Sequence, residues 1–211
     1  VLLVAPSDHI IPNSEAFHSS VKIALEEALS GKIVTFGIHP THPETGYGYL
    51  SLAKATKNEP VVVKKFIEKP DKVTAQQMIN KGTYLWNSGI FMFRAKDMIT
   101  AFNLYAKDIL SSVVKAVELS VIDMGFIRLN PSFWSSLEEI SIDYAIMEKA
   151  KNLVAITYDN RWSDLGDWDS VWRETKQDKN GVALSENAHA IECKNILLRS
   201  ENKTQQIVGM G

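Results

Sequence analysis

The feature that most constrains this chain is a change of hydrophobic period between residues 1 and 38. Residues 1–4 (VLLV) form an unbroken apolar run, the pattern of an inner strand covered on both faces. From Ser14 onward, Phe17, Val21, Ala24, Leu25 and Ala28 fall on one helical stripe, and Gly31 stands where a helix would be capped. Residues 33–38 (IVTFGI) then return to a continuous apolar run. Strand, helix and strand in that span suit a crossover between strands running the same way. An α/β fold is therefore expected.

The later pattern extends it. Residues 39–49 (HPTHPETGYGY) hold two prolines and two glycines and read as irregular backbone before a strand at 49–53. A strand at 61–67 is stopped by Pro70, and Asp71 can cap a short helix carrying Val73, Met78 and Ile79 that ends at Gly82. Residues 84–93 (YLWNSGIFMF) are strand-like at both ends, and the glycine in their middle signals a bulge or a close backbone approach. Helix is expected within 95–119, and again from a cap at Ser141 through Lys149 with Ile142, Ala145 and Ile146 inward. A strand at 153–158 and a helix capped by Asp167 follow, and from Gly181 the pattern breaks into short β pieces. Two regions are expected: a main domain over 1–176 and a short β-rich extension over 177–211.

Composition narrows the function classes. The 211 residues carry a net charge of -2 with 45% apolar and 23% charged residues, an ordinary globular balance without the basic run that nucleic acid or an anionic membrane attracts. Apolar stretches are too short to span a bilayer. One cysteine, Cys193, rules out an intrachain disulfide and suits a reducing compartment, so a cytoplasmic setting is expected, with neither nucleic acid nor membrane as partner.

Four constellations stand where strands end or break, the edge at which open α/β sheets bind ligands. In Pro6-Ser7-Asp8-His9, Asp8 can ligate a hard divalent cation or simply cap local amides. In residues 43–49 (PETGYGY), two glycines admit close backbone approach to a ligand, or serve a plain turn. Glu68-Lys69 at the end of a strand offers an acceptor for sugar hydroxyls and a positive charge for phosphate, or an exposed ion pair. In residues 162–168 (WSDLGDW), Asp164 can point into a cleft while Asp167 caps the following helix. Two strand-end aspartates far apart in sequence are what a two-carboxylate magnesium site needs. Asn87 can serve a sugar or satisfy a bulge, and Asp143 can be explained by a helix first turn.

In this order, residues 5–10 (APSDHI), 36–49 (FGIHPTHPETGYGY), 66–71 (FIEKPD), 84–91 (YLWNSGIF), 141–149 (SIDYAIMEK) and 162–168 resemble the mannose-1-phosphate guanylyltransferase family of sugar-nucleotide pyrophosphorylases. The resemblance implies a Rossmann-like mixed, mostly parallel sheet with flanking helices, of the nucleotide-diphospho-sugar transferase type. It implies GTP and mannose 1-phosphate as substrates, GDP-mannose and pyrophosphate as products, and Mg2+ as cofactor. Asp8 and Asp164 would hold the metal, and Lys69 the sugar phosphate. Glu68 and Asn87 would hold sugar hydroxyls, Gly46 would bring backbone against the sugar, and Asp143 would join them. A homo-oligomer is compatible with this reading.

The family opens with a strand and a glycine-rich loop that cradle the triphosphate, and no such loop occurs here. The stretch beginning at Val1 is therefore expected to be an inner strand, with the phosphate loop outside the sequence and little turnover without it. The metal-binding histidines of the cupin domain found in some members are absent after Trp172, so no isomerase activity is expected. The competing readings are a transferase for another sugar 1-phosphate, a non-catalytic sugar-nucleotide-binding subunit, and a glycosyltransferase with Asp167-Trp168-Asp169 as metal motif.

Overall fold

A computed structural model describes residues 1–54 and 59–211. The chain separates into two compact units, one made of residues 1–7 and 13–160 and the other of 8–12 and 161–211.

The first unit contains, in chain order, β1 (Leu2–Val4), α1 (Ser14–Leu29), β2 (Ile33–Ile38), β3 (Tyr49–Leu52), β4 (Val61–Ile67), α2 (Lys72–Lys81), β5 (Tyr84–Phe93), α3 (Ala95–Tyr105) and α4 (Lys107–Glu118). A hairpin of β6 (Val121–Asp123) and β7 (Phe126–Arg128), a short α5 (Pro131–Trp134), a π-helical turn at Asp143–Met147 and β8 (Leu153–Thr157) complete it. Six strands form a mixed sheet in the order β1-β5-β2-β8-β4-β3, with a further pairing of β3 to β5. Helices pack on it: α1 lies against β2, β5 and β8, and α2 against β5.

A mixed sheet with flanking helices is the fold expected, but it is not mostly parallel. Among the described strands of this sheet only β2 and β8 pair in parallel; the other neighbours are antiparallel. The reason is β5. It runs between β1 and β2 and antiparallel to both, so the two strands joined by the α1 crossover point the same way without touching.

Within this sheet the stretch 1–4, expected as an inner strand, supplies β1. Among the described strands β1 pairs with the second half of β5, Leu2 opposite Phe93 and Val4 opposite Phe91. Its three residues are 43% to 49% exposed. By contrast β2 is buried along its whole length.

Helix ends follow their capping residues. Asn13 accepts from the Ala16 N–H at 3.0 Å to start α1. Asp71 does the same for Thr74 at the start of α2, and Gly82, with φ of +67°, ends it in the left-handed conformation. The buried stripe of α1 is Ser20, Ala24 and Ala28, with Leu25 exposed. Ser141 precedes not the expected α-helix through Lys149 but the π-helical turn, which buries Ala145, Ile146 and Met147. The core gathers Leu50, Phe66, Leu85, Phe91, Ile146 and Leu153 among others. Each such side chain contributes roughly 1.5–3 kcal/mol through burial.

The second unit holds α6 (Trp168–Glu174), β9 (Val182–Leu184), β10 (Ala188–Ile191), β11 (Ile196–Leu198) and β12 (Ile207–Met210). Its strands pair as two parallel couples, β9 with β11 and β10 with β12. Asp167 caps α6 through the Ser170 N–H, and the Ser170 hydroxyl accepts from the Asp167 N–H, closing a capping box. The Trp172 indole N–H donates to the Gly181 carbonyl at 2.8 Å and ties the helix to the β segment.

Candidate active site

In the first unit, the end of β4, the bulge of β5 and the π-helical turn present their polar side chains to one another. The bulge is where the sequence placed it. The β2–β5 register slips between Thr35 and Gly37, and Gly89 takes a φ of +70°. Asn87, just before that glycine, donates its backbone N–H to the Gly48 carbonyl at 2.7 Å. Its side-chain carbonyl accepts from the Thr35 hydroxyl at 2.7 Å, and its amide group donates to Asp143 Oδ1 at 3.4 Å.

Glu68 and Lys69 leave β4 beside them. The Glu68 side chain is 8% exposed, whereas Lys69 Nζ, 3.8 Å from Glu68 Oε1, stays in contact with solvent. The Glu68 N–H donates to a carboxylate oxygen of Glu148 at 3.3 Å. The Lys69 N–H donates to the Tyr47 carbonyl at 3.2 Å, holding the glycine loop against the strand end. Lys69 itself has a φ of +46°, unusual for a residue with a side chain. Such strain, of order 1 kcal/mol or more, concentrates at functional positions.

Burial raises the Glu68 carboxyl to about 7, and the negative charges of Asp143 and Glu148 push the same way while Lys69 opposes them. Burial likewise raises Asp143. Near neutrality Glu68 therefore exists in both protonation states, and can accept from a sugar hydroxyl or donate to one.

The loop before β3 is organised by Glu44, whose Oε1 accepts from the N–H groups of Thr45 and Gly46, each at 2.9 Å. Gly46, the glycine expected to approach the ligand, thus spends its amide on Glu44. The tight approach belongs to Gly48: a Cβ there would lie 2.6 Å from Glu68 Oε2 and 3.0 Å from the Phe66 ring. Tyr47 and His42 stack edgewise on Trp86, at centroid distances of 5.2 and 5.0 Å.

The other candidates meet in the second unit. Ile10 and Ser163 form an antiparallel bridge, with N–H to carbonyl distances of 2.8 and 3.2 Å, which sets the Asp8-His9 segment beside Trp162 and Asp164. The Trp162 indole N–H donates to His9 Nδ1 at 3.3 Å, with the rings in a T arrangement. Burial lowers the His9 pKa against the opposing pull of Asp164 and Asp8. His9 is thereby a neutral acceptor that orients Trp162. Asp164 Oδ1 accepts from the Gly166 N–H at 3.0 Å, and a Cβ at Gly166 would meet Asp164 Oδ2 at 2.5 Å. The turn passes through Leu165 at a φ of +53°.

Asp8 and Asp164 supply hard oxygen donors, and among the described residues no group of three or more His, Cys, Asp or Glu is gathered into a metal cage. By residue chemistry such carboxylates suit magnesium, which takes one or two of them and completes its shell with water and substrate phosphate.

The structure thus brings Glu68, Lys69, Asn87, Asp143 and the glycine loop together, and carries Asp8 and Asp164 on two segments bridged at Ile10 and Ser163. Thr35 and Glu148 went unassigned from sequence, and Gly48 was read with Gly46 as a close-approach glycine without a role of its own. Gly48 and Glu148 lie inside quoted motifs, while Thr35 carries no signal beyond being polar within a buried run.

Residues 1–181 match the family model described as Nucleotidyl transferase, and the chain belongs to that family. A mannose-1-phosphate guanylyltransferase of Sinorhizobium fredii (strain NBRC 101917 / NGR234) is 42% identical over all of this chain, which covers 41% of that protein. Another protein of that name, from Escherichia coli, is 36% identical over all of this chain and 46% of its own length. The crystal structure of a protein named mannose-1-phosphate geranyltransferase from Thermus thermophilus superposes with a TM-score of 0.82 at 28% identity, covering 100% of this chain and 59% of that one. The chain spans somewhat under half the length of these curated relatives. Among the described residues no helix is long and apolar enough to cross a membrane.

Proposed function

We propose that the protein carrying this chain is a GTP:mannose-1-phosphate guanylyltransferase, transferring GMP from GTP to mannose 1-phosphate to give GDP-mannose and pyrophosphate. The observation that carries the reading is the cluster of Glu68, Asn87 and Asp143 beside the Lys69 ammonium. It offers hydroxyl-binding acceptors and a donor next to a cation suited to phosphate. The names of relatives similar over the whole chain supply the sugar and the nucleotide. A reducing compartment, and with it the cytoplasm, fits the lone Cys193.

In this mechanism a phosphate oxygen of mannose 1-phosphate attacks the α-phosphorus of GTP. A new P–O bond forms, the bond from the α-phosphorus to the bridging oxygen breaks, and pyrophosphate leaves with the electron pair. No side chain needs to become covalently linked, so catalysis rests on alignment and charge neutralisation. Lys69 holds the sugar phosphate, while Glu68, Asn87 and Asp143 fix the hydroxyls and so the direction of attack. Asp8 and Asp164 would hold Mg2+, which when bound neutralises charge on the nucleotide phosphates.

The test is pyrophosphate release by the intact protein given GTP, mannose 1-phosphate and Mg2+, beside an Asp164→Asn variant. Release that falls by about 10²–10³ in the variant is expected. No release, or equal release by both proteins, sinks the proposal. Competition among sugar 1-phosphates then tests the choice of mannose.

A further inference from the structure

Thr35 stands in the middle of β2 at 0% exposure, flanked by Val34 and Phe36. Valine has nearly the same shape, so packing alone gives no reason for a hydroxyl, which costs free energy to bury unless it is bonded. Here it is bonded. Oγ1 donates to Asn87 Oδ1 at 2.7 Å, across to the bulge of β5, with the Ile90 carbonyl 3.2 Å away as a secondary acceptor.

Asn87 has an amide whose two ends differ in chemistry but hardly in shape, and either end could face Asp143. Its location removes the usual constraint, because the ladder with β2 is interrupted just beyond it. The Thr35 hydroxyl makes the difference: of its two acceptors Asn87 Oδ1 is the nearer, at 2.7 Å against 3.2 Å for the Ile90 carbonyl, so the carbonyl end turns toward β2 and the NH2 end toward Asp143 Oδ1. Reversing the amide would set a carbonyl oxygen against a carboxylate. We propose that Thr35 is a positioning residue, whose buried hydroxyl fixes the Asn87 amide so that its NH2 group is offered to a sugar hydroxyl beside the acceptor Asp143. The inference rests on the reading of Asn87 and Asp143 as sugar-binding groups and adds what sets their donor and acceptor order.

The test is steady-state kinetics of the intact protein with Thr35→Val, Thr35→Ser, Asn87→Ala and the Thr35→Val/Asn87→Ala double variant. Thr35→Val should raise KM for mannose 1-phosphate about tenfold while KM for GTP and kcat stay within about twofold. Thr35→Ser, which keeps the proton, should recover most of the loss. In the Asn87→Ala background, Thr35→Val should add nothing. Thr35→Ala provides the same comparison should the valine variant fail to fold.

A Thr35→Val protein with unchanged sugar KM while Asn87→Ala is impaired overturns the role of Thr35 and leaves the sugar-binding reading standing. An Asn87→Ala protein with unchanged sugar KM overturns both. A lowered melting temperature with both KM values and kcat shifted together, unrelieved by serine, identifies Thr35 as structural only.

Discussion

The two pairs of carboxylates in this protein are held in opposite ways. Glu68 and Asp143 sit together in the first unit, where burial first, and then the charge of nearby carboxylates, favours their neutral forms. Asp8 and Asp164 are carried in the second unit on segments joined by one backbone bridge, Asp8 exposed and Asp164 held by the Gly166 amide. A carboxyl that must bind uncharged hydroxyls loses little by being close to neutral. One that must hold a divalent cation works as an anion and needs access to water and phosphate. Under the proposed function this difference in setting agrees with sugar binding by the first pair and metal binding by the second.

The comparison breaks most visibly at Asp8. Asp8→Asn keeps the shape of the side chain and removes its charge, so turnover of the intact protein should fall by about 10²–10³ and the Mg2+ concentration for half-maximal rate should rise. KM for mannose 1-phosphate should change little. A variant that instead loses sugar affinity at unchanged Mg2+ dependence would merge the two pairs into one function.

Gly48→Ala attacks the other side. The added methyl would meet Glu68 Oε2 and the Phe66 ring, and both must shift. A cost of about 1–3 kcal/mol is expected from such overpacking, read as a lower denaturation midpoint together with a sugar KM raised roughly tenfold. Gly46→Ala, facing only the Glu44 carboxylate at 3.4 Å, should be milder. The reverse ranking would return the close approach to Gly46.

Legibility in the sequence followed the range of the interaction. Caps at Asp71 and Asp167 and the bulge at 87–89 are encoded within a few residues, and the structure has them where the sequence placed them. Strand neighbours are not local. The run 1–4 and β2 are joined by the α1 crossover, yet nothing local in either says that β5 comes to lie between them. Glu148 was missed for a related reason. An α-helix would set residues 143 and 148 about 140° apart, whereas in the π-helical turn the Glu148 N–H bonds to the Asp143 carbonyl at 2.9 Å. That wider turn lets both carboxylates act on Glu68. Thr35 could not be read at all, because its partner lies 52 residues away.

A smaller effect sharpens the account of Glu68. With an ordinary value of 4.5 and a folded value of about 7, the folded state binds the proton more tightly than the unfolded chain. Stability should therefore decline as pH rises from about 4.5 to about 7, and level off above that. Glu68→Gln mimics the protonated form and should remove the decline. The gain at pH 8 is about 1–2 kcal/mol, allowing for screening by water at a site partly open to it. Denaturant midpoints of both proteins at pH 5 and pH 8 measure it. A decline of equal size in the variant would assign the pH dependence to another group.

The smallest effect separates two aspartates three residues apart. Asp167 accepts from the Ser170 N–H at 2.6 Å at the start of α6, so it already has a complete structural role in the capping box. Asp167→Ala should cost about 1 kcal/mol of stability, the ordinary value of an N-cap. It should leave the Mg2+ dependence of turnover where it was, because its carboxylate is engaged by the Ser170 N–H. Were the Asp167-Trp168-Asp169 stretch the metal motif of a glycosyltransferase, the same substitution would instead abolish metal-dependent activity, and Asp164→Asn would be the mild change. The order of severity between Asp164 and Asp167 thus tests whether the cation is held by the turn or by the helix that follows it.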